Sequence, residues 1–393
     1  MKSRMHPKYY LSNDIFEKEK EKIFRKMWLF VGLSSFVKEN NKFISRKFFD
    51  IPIVIQNFQG HIKAFENSCL HRNALLQTEF TGCRPLTCPY HAWKYDACGK
   101  VSNIPHCDKS YGFSDAEKSS LKLREFQLRI IGNLIFINLS SDPFPIEEQF
   151  GDDFIRSMEH CSNHFDSEVM MTKWHCQFNW KLPYENLRDP NHVAYVHPKS
   201  LAPLIDLYAK VDHAAANESL NPLAQKDPAF MRQEIKKYSF GGHPEGGLEK
   251  ISTFDWHHNV ERWHASERTG SPVASDNSYF NWLAFPNLHI ASGDGGHTFT
   301  IEHHIPVSPT QTDVEIYYMT AKKKKRYAAS PQVLLAAMQA GKKILKEDYD
   351  ILEQVQQALH MEAPIPEQGA YESTNRLIER WYTALMEEEN VTL

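Results

Sequence analysis

The chain predicts an α+β fold, with a small all-β domain followed by a larger domain whose antiparallel sheet is flanked by helices. Two observations carry this. From Trp28 to about Leu139 short runs of β-branched and aromatic residues are broken by Gly, Asn and Pro, the pattern of a compact β domain. Beyond residue 140, strand-like runs alternate with two longer amphipathic stretches, which is an α+β arrangement. A chain of 393 residues is long enough to bury two such cores.

In order along the chain, Ser12-Asn13-Asp14 opens a helical segment over residues 12–27, because capping residues precede apolar positions at helical spacing. Residues 1–27 are expected to pack on the larger domain, 28–140 to form the β domain and 141–393 the larger one. Strands are expected at Trp28–Val31, Phe43–Arg46, Ile51–Ile55 and Ile130–Ile137. His297–Ile305 and Val314–Thr320, joined by the turn-rich Val307–Gln311, read as a hairpin. A long helix spans residues 332–359, with an apolar stripe through Leu334, Ala337, Met338, Gly341, Ile344, Leu345, Ile351, Leu352 and Val355. Asp348 falls inside that stripe, while Glu347 and Asp350 fall toward its polar side.

Composition excludes several trades. A net charge of −4 is too small and of the wrong sign for a nucleic-acid binder. No apolar run approaches the ~18 residues of a membrane helix, and Met1-Lys2-Ser3-Arg4 leads into no apolar signal region. A cytoplasmic protein is therefore expected, with no membrane partner. Seven cysteines in this length do not form a disulfide framework. Cys83, Cys98, Cys107, Cys161 and Cys176 are expected to be unpaired thiols.

The remaining two cysteines carry the chemistry. Cys69-Leu-His71 and Cys88-Pro-Tyr-His91 offer two soft thiolates and two imidazoles from two short loops. That order of ligands suits a [2Fe–2S] cluster with both histidines on one iron. A zinc finger groups its cysteines first and its histidines later, so zinc is the weaker alternative.

A one-electron relay needs an acceptor. Asp189-Pro190-Asn191-His192-Val193-Ala194-Tyr195-Val196-His197 brings a carboxylate and two imidazoles into one short segment. Histidines five apart lie ~140° apart on an ideal helix, so both can face one metal only if the helix ends or distorts between them. Pro198 marks such an end. Asp189 also reads as a helix N-cap before Pro190, and either histidine as a hydrogen-bonded core residue. A carboxylate on a buried face is costly unless a cation or hydrogen bonds meet it, which makes Asp348 the candidate to complete His192 and His197. Two imidazoles and a carboxylate on one face of iron leave positions open for oxygen and substrate. A buried structural ion pair is the competing reading of Asp348.

With both sites in view, the chain resembles the Rieske non-haem iron oxygenases, in particular the catalytic α subunit of aromatic ring-hydroxylating enzymes. Cys69-Leu-His71-Arg72 and Cys88-Pro-Tyr-His91-Ala-Trp93 are similar to the cluster loops, with Ala92 where the family usually has glycine. Asn179-Trp180-Lys181, Glu185-Asn186 and Asp189-x-x-His192-x₄-His197 resemble the iron-binding segment, and Lys346-Glu347-Asp348 the segment that supplies the carboxylate. Pro190 and Asn191 depart from the family's usual residues after that Asp. The resemblance implies a [2Fe–2S] cluster on Cys69, His71, Cys88 and His91, and Fe(II) on His192, His197 and Asp348, with O₂ as co-substrate. It implies hydroxylation, dihydroxylation or demethylation of a small aromatic substrate. It also implies that Asp189 joins the iron of one chain to His91 of the next, hence a ring-like homotrimer, with a β subunit as a further member in some assemblies. Asn186 would stand near the iron. Ala74 and Tyr90 occupy the places of the extra cysteines of high-potential Rieske proteins, so the potential is expected near the low end, roughly −150 mV. Electrons from NAD(P)H would arrive through a separate reductase, and a ferredoxin in some systems, because no G-x-G-x-x-G follows a strand here. A Rieske electron carrier without oxygenase activity, and a relative with a cluster but no mononuclear iron, are the rival readings.

Pocket candidates are Leu201, Leu204, Ile205, Phe240, Phe280, Trp282, Phe285 and His289, with core packing as the competing reading. The glycine-rich Tyr238–Gly247 stretch reads as a loop over the entrance. His257-His258 and His303-His304 are adjacent pairs whose side chains would oppose each other on a strand, so they read as surface or core histidines. Lys322–Arg326 reads as a solvated turn, or as a docking patch for an acidic ferredoxin.

Overall fold

A computed structural model describes residues 2–187, 189, 192–200, 280–292, 298–322, 330–361, 363–369 and 372–387. The chain divides into two compact units, Lys26–Pro143 and Met1–Arg25 with Phe144–Leu393.

The Lys26–Pro143 unit is a β domain. Its strands are β1 (Trp28–Leu33), β2 (Lys42–Phe48), β3 (Ile51–Phe58), β4 (His61–Glu66), β5 (Thr81–Cys83), the short pair β6 (Lys94–Tyr95) and β7 (Val101–Asn103), β8 (Glu125–Ile131) and β9 (Leu134–Asn138). Seven of them form an antiparallel sheet in the order β1-β9-β8-β4-β3-β2-β5. β1 and β9 are buried along their whole lengths, as unbroken apolar runs require. The run Ile130–Ile137, which reads as one strand in sequence, folds as a hairpin. Gly132, at φ 56°, turns the chain between β8 and β9, and glycine takes that left-handed conformation without steric cost. β4 is not recognisable from its charged composition; the turn at Gln59-Gly60 and pairing with β3 create it. Phe43, Val54, Phe65, Leu76, Leu86, Trp93 and Tyr95 pack with Cys69 and Cys88 in one core. The two cysteine loops are thus anchored from beneath.

In the other unit, α1 (Lys8–Leu11) and α2 (Asn13–Glu19) open the chain. Ser12 caps α2 by accepting from the Ile15 N–H, and the helix widens into a π turn over Lys20–Phe24 before it ends. Five antiparallel strands follow: β10 (Phe165–Cys176), β11 (Phe280–Ala284), β12 (Leu288–Ser292), β13 (Thr298–Ser308) and β14 (Gln311–Ala321), ordered β10-β14-β13-β12-β11. β13 and β14 are the expected hairpin. The helices that matter to the site are α3 (Leu182–Leu187), α4 (His192–Val196), α5 (Ser330–Leu359) and α6 (Ser373–Glu387). Among the described residues no helix is long and apolar enough to cross a membrane.

α5 lies on β10 and β14. A Cβ on Gly341 would fall 2.7 Å from Tyr318 Cε1, so the absence of a side chain there permits the close approach. Leu334, Leu345, Asp348, Tyr349, Leu352, Gln356 and Leu359 form its buried stripe. Ile351 and Val355, expected within that stripe, are exposed, because the buried positions follow the 3.6-residue repeat through Leu352 and Gln356 instead.

One buried knot ties the N-terminal segment to this unit. Glu19 accepts from Lys181 Nζ at 2.6 Å, from Trp180 Nε1 at 2.8 Å and from the Tyr382 hydroxyl. Lys181 Nζ also lies 5.1–5.2 Å from the ring centroids of Tyr10, Trp180 and Tyr382. Every polar atom of that ion pair has a partner, which is the condition for burying it.

Candidate metal centres

The two cysteine loops are local copies of one another. The N–H of Asn73 donates to the Cys69 carbonyl at 2.8 Å, and that of Ala92 to the Cys88 carbonyl at 3.0 Å. Cys69 N–H in turn donates to Ala74 and Cys88 N–H to Trp93. Asn73 and Ala92 both sit at φ 56°. Asparagine tolerates that region; alanine pays a steric cost of ~1–2 kcal/mol. Ala92→Gly is therefore expected to raise stability by up to about 1 kcal/mol after glycine's extra unfolded-state freedom is counted, read as a higher melting temperature of the full chain.

Cys69 and Cys88 are buried, while His71 and His91 are half-buried with ring centroids 4.5 Å apart. Trp93 stacks flat on His71 at 5.1 Å and fixes the plane of that ring. The Nδ1 atoms of both histidines are buried without a hydrogen-bond partner. A buried orphan nitrogen is costly unless something coordinates it. Two such nitrogens beside two buried sulfurs match the donor set that a Rieske cluster requires, so the residues present fit that group.

Tyr95 touches this set from below. Its Oη accepts from the Leu70 N–H at 2.9 Å, which leaves its own proton to point at Cys69 Sγ, 3.2 Å away. Burial pushes the Cys69 thiol pKa up, and the Tyr95 hydroxyl pulls it back toward the thiolate. A donor to a ligating sulfur stabilises the reduced, more negative state. Tyr95→Phe is expected to lower the cluster's reduction potential by ~60 mV, the one-electron equivalent of ~1.4 kcal/mol, as measured by a redox titration of the visible absorption.

The second centre lies in the other unit. α4 ends between Val196 and His197, the break that lets two histidines so spaced converge. His192 Nδ1 donates to the Asp189 carbonyl, and its Nε2 lies 3.5 Å from Asp348 Oδ1. His197 Nε2 lies 2.9 Å from the same oxygen, and Asn186 Nδ2 donates to it at 2.9 Å. One ligand atom each from His192, His197 and Asp348 falls within 4.8 Å of the others. Burial disfavours charge on His197, yet Asp348 and then Glu347 outweigh it and hold its pKa above that of ordinary imidazole. Such a convergence of imidazole nitrogens and carboxylate oxygen suits a divalent cation, so the residues fit a mononuclear iron. Asp189 sits beside the set, its carboxylate 4.0 Å from His192 Nδ1.

Glu347 falls toward the polar side of α5 in sequence and is partly exposed; nothing in sequence singles it out. Its carboxylate accepts from His197 Nδ1 at 2.8 Å and from the Ser200 hydroxyl. Also unforeseen is a buried polar network on the sheet. Glu302 lies 2.9 Å from His289 Nδ1, 3.4 Å from His304 Nε2 and 3.4 Å from the Tyr349 hydroxyl. Burial works against its charge, but His289 and His304 prevail and hold the Glu302 carboxyl below the usual range. His303 and His304 are both fully buried, and His303 meets Asn287. They are core histidines.

Of the pocket candidates, Trp282 packs edge-on to Phe154 and Phe285 leans on Trp180; both are core residues. His289 belongs to the Glu302 network. Leu201, Leu204, Ile205, Phe240, the Tyr238–Gly247 stretch, His257-His258 and the basic run from Lys323 to Arg326 lie outside the described residues, as does the side chain of Phe280.

Comparison with known proteins finds a family for each part of the chain. Residues 27–127 match the family model of the Rieske [2Fe-2S] domain, and residues 164–388 match that of the ring hydroxylating alpha subunit (catalytic domain). The glycine betaine monooxygenase oxygenase subunit of Pseudomonas aeruginosa is 28% identical over 233 residues, covering 58% of this chain and 52% of the relative. The carnitine monooxygenase oxygenase subunit of Acinetobacter pittii is 32% identical over 198 residues, covering 48% and 51%. The anthranilate 1,2-dioxygenase large subunit of Burkholderia cepacia is 27% identical over 202 residues, covering 50% and 48%. The chain thus spans about half the length of the curated relatives it matches. A solved quaternary ammonium Rieske monooxygenase superposes with a TM-score of 0.72 at 18% identity, covering 97% of this chain and 95% of the other. Naphthalene 1,2-dioxygenase from Rhodococcus superposes with 0.67 at 16%, covering 98% and 94%. At these identities the likeness is one of fold.

Proposed function

The chain belongs to the ring-hydroxylating oxygenase α-subunit family, and from that premise we propose that it is a terminal oxygenase component. The convergence of His192, His197 and Asp348 within 4.8 Å is the observation that carries this reading. Cys69, His71, Cys88 and His91 would hold the [2Fe–2S] cluster, and His192, His197 and Asp348 the iron. When bound, these groups supply electron storage and oxygen activation, so that substrate, O₂, two electrons and two protons yield hydroxylated product and water.

The chain's own residues do the arranging. Asn186 holds the Asp348 oxygen toward the histidines. The Asp189 carbonyl fixes the His192 tautomer so that Nε2 faces inward. Trp93 locks the plane of His71. The carboxylate of Asp189 is proposed to join His192 to His91 of the next copy in a closed trimer, electrons arriving from NAD(P)H through a separate reductase.

The substrate class proposed first is a small quaternary ammonium compound hydroxylated at a carbon beside nitrogen, in view of the betaine and carnitine relatives. An aromatic acid is the second reading, favoured by the anthranilate relative. Metal analysis and oxygen uptake test the proposal together. About three irons and two sulfides per chain, with uptake stimulated by glycine betaine or carnitine in the presence of a reductase, are expected. Stimulation by anthranilate alone would transfer the assignment to the aromatic reading. About two irons per chain would leave only an electron carrier.

A further inference from the structure

We infer that Glu347 is a positioning residue that presents the His197 imidazole to the metal; the inference rests on the metal-site reading above. An imidazole binds a cation through one nitrogen, and the hydrogen bond made by the other decides which one and at what angle. His197 is essentially inaccessible to water, so only protein groups can make that choice. Its Nε2 faces Asp348 at 2.9 Å, and its Nδ1 faces Glu347 Oε2 at 2.8 Å. A carboxylate accepts and never donates when ionised. The Nδ1–H is therefore committed to Glu347, and Nε2 is the nitrogen left to face Asp348 and, on giving up its own proton, a cation.

The Glu347 carboxylate is itself held. Ser200, in the turn that follows His197, donates to the same oxygen. Glu347 and Asp348 are neighbours on α5, about 100° apart around the helix. One backbone segment thus sets the ligating carboxylate in front of His197 and the orienting carboxylate behind it. The two histidines are held differently: His192 by a backbone carbonyl, which substitution leaves in place, and His197 by a side chain, which substitution can remove.

The test uses the full chain with its cluster in place, after chelation of the mononuclear site, titrated with Co(II) and read by the cobalt visible bands. Glu347→Ala is expected to weaken Co(II) binding ~10–100-fold while the cluster absorption and melting temperature stay near wild type. Glu347→Gln keeps an oxygen acceptor for Nδ1–H and is expected to bind within a few-fold of wild type. Wild-type affinity in Glu347→Ala, alongside loss of binding in His197→Ala, would overturn the positioning role and leave the site intact. A Gln variant as weak as the Ala variant would overturn it as well, because charge rather than orientation would then be at work. Wild-type affinity in His197→Ala would sink the metal-site reading itself.

Discussion

Asp348→Ala is expected to remove one iron per chain and reduce turnover to background, while the visible spectrum of the cluster stays unchanged. The reason is the convergence of both Nε2 atoms and the Asn186 amide on one carboxylate oxygen. Without that oxygen two neutral imidazoles are left, a donor pair too weak and too open to retain iron against solvent. The proposed cluster ligands, Cys69, His71, Cys88 and His91, come from the other compact unit, so the cluster absorption is an internal control for folding. Iron analysis and the visible spectrum on one sample check this. Unchanged iron content would exclude Asp348 from the ligand set.

The second large effect is on stability. Glu19→Ala is expected to cost ~3–5 kcal/mol, the usual penalty for leaving one member of a buried ion pair without the other. Lys181 is 5% exposed and Glu19 wholly buried, so water cannot replace the lost carboxylate. The hydroxyl of Tyr382 and the indole N–H of Trp180 would lose their acceptor in the same stroke. Three aromatic faces around the Lys181 ammonium soften the loss without cancelling it. Chemical denaturation measures the difference. A combined Glu19→Leu, Lys181→Met variant is expected to recover part of it, because no charge is left unpaired while the Tyr382 hydroxyl and the Trp180 N–H still lack their acceptor.

Much of the site was legible because its signals are local. The candidate cluster ligands announce themselves by spacing, and the candidate iron ligands His192 and His197 by their separation and the proline that follows. Asp348 was found by a different route, as a carboxylate out of place in an apolar stripe, and it is indeed buried. The groups that tune these residues were not legible. Tyr95 reaches Cys69, and Glu347 reaches His197, only after the chain has folded; nothing in their local patterns distinguishes them from a strand tyrosine or a helix-surface glutamate. His289 reads as a pocket candidate, His304 as a surface or core histidine and Glu302 as an ordinary strand residue; their network is hidden because cross-strand register, not sequence distance, pairs His289 with Glu302. The hairpin at Gly132 reads as one strand in sequence for a related reason. An apolar run buried on both faces hides its turn, and one glycine is a weak sign that the chain reverses.

Asp348 and Tyr349 are consecutive on α5, one turned to the histidines and the next to Glu302 on the sheet. Roughly two turns earlier, Gly341 lets the helix settle against Tyr318. The Asp348 oxygen that faces both histidines is therefore gauged from the β-sheet in the way a tool is gauged from its bench. A larger residue at Gly341 would lift the helix and shift that oxygen without touching any ligand. Metal affinity in such variants would report, from a distance, how well α5 is seated.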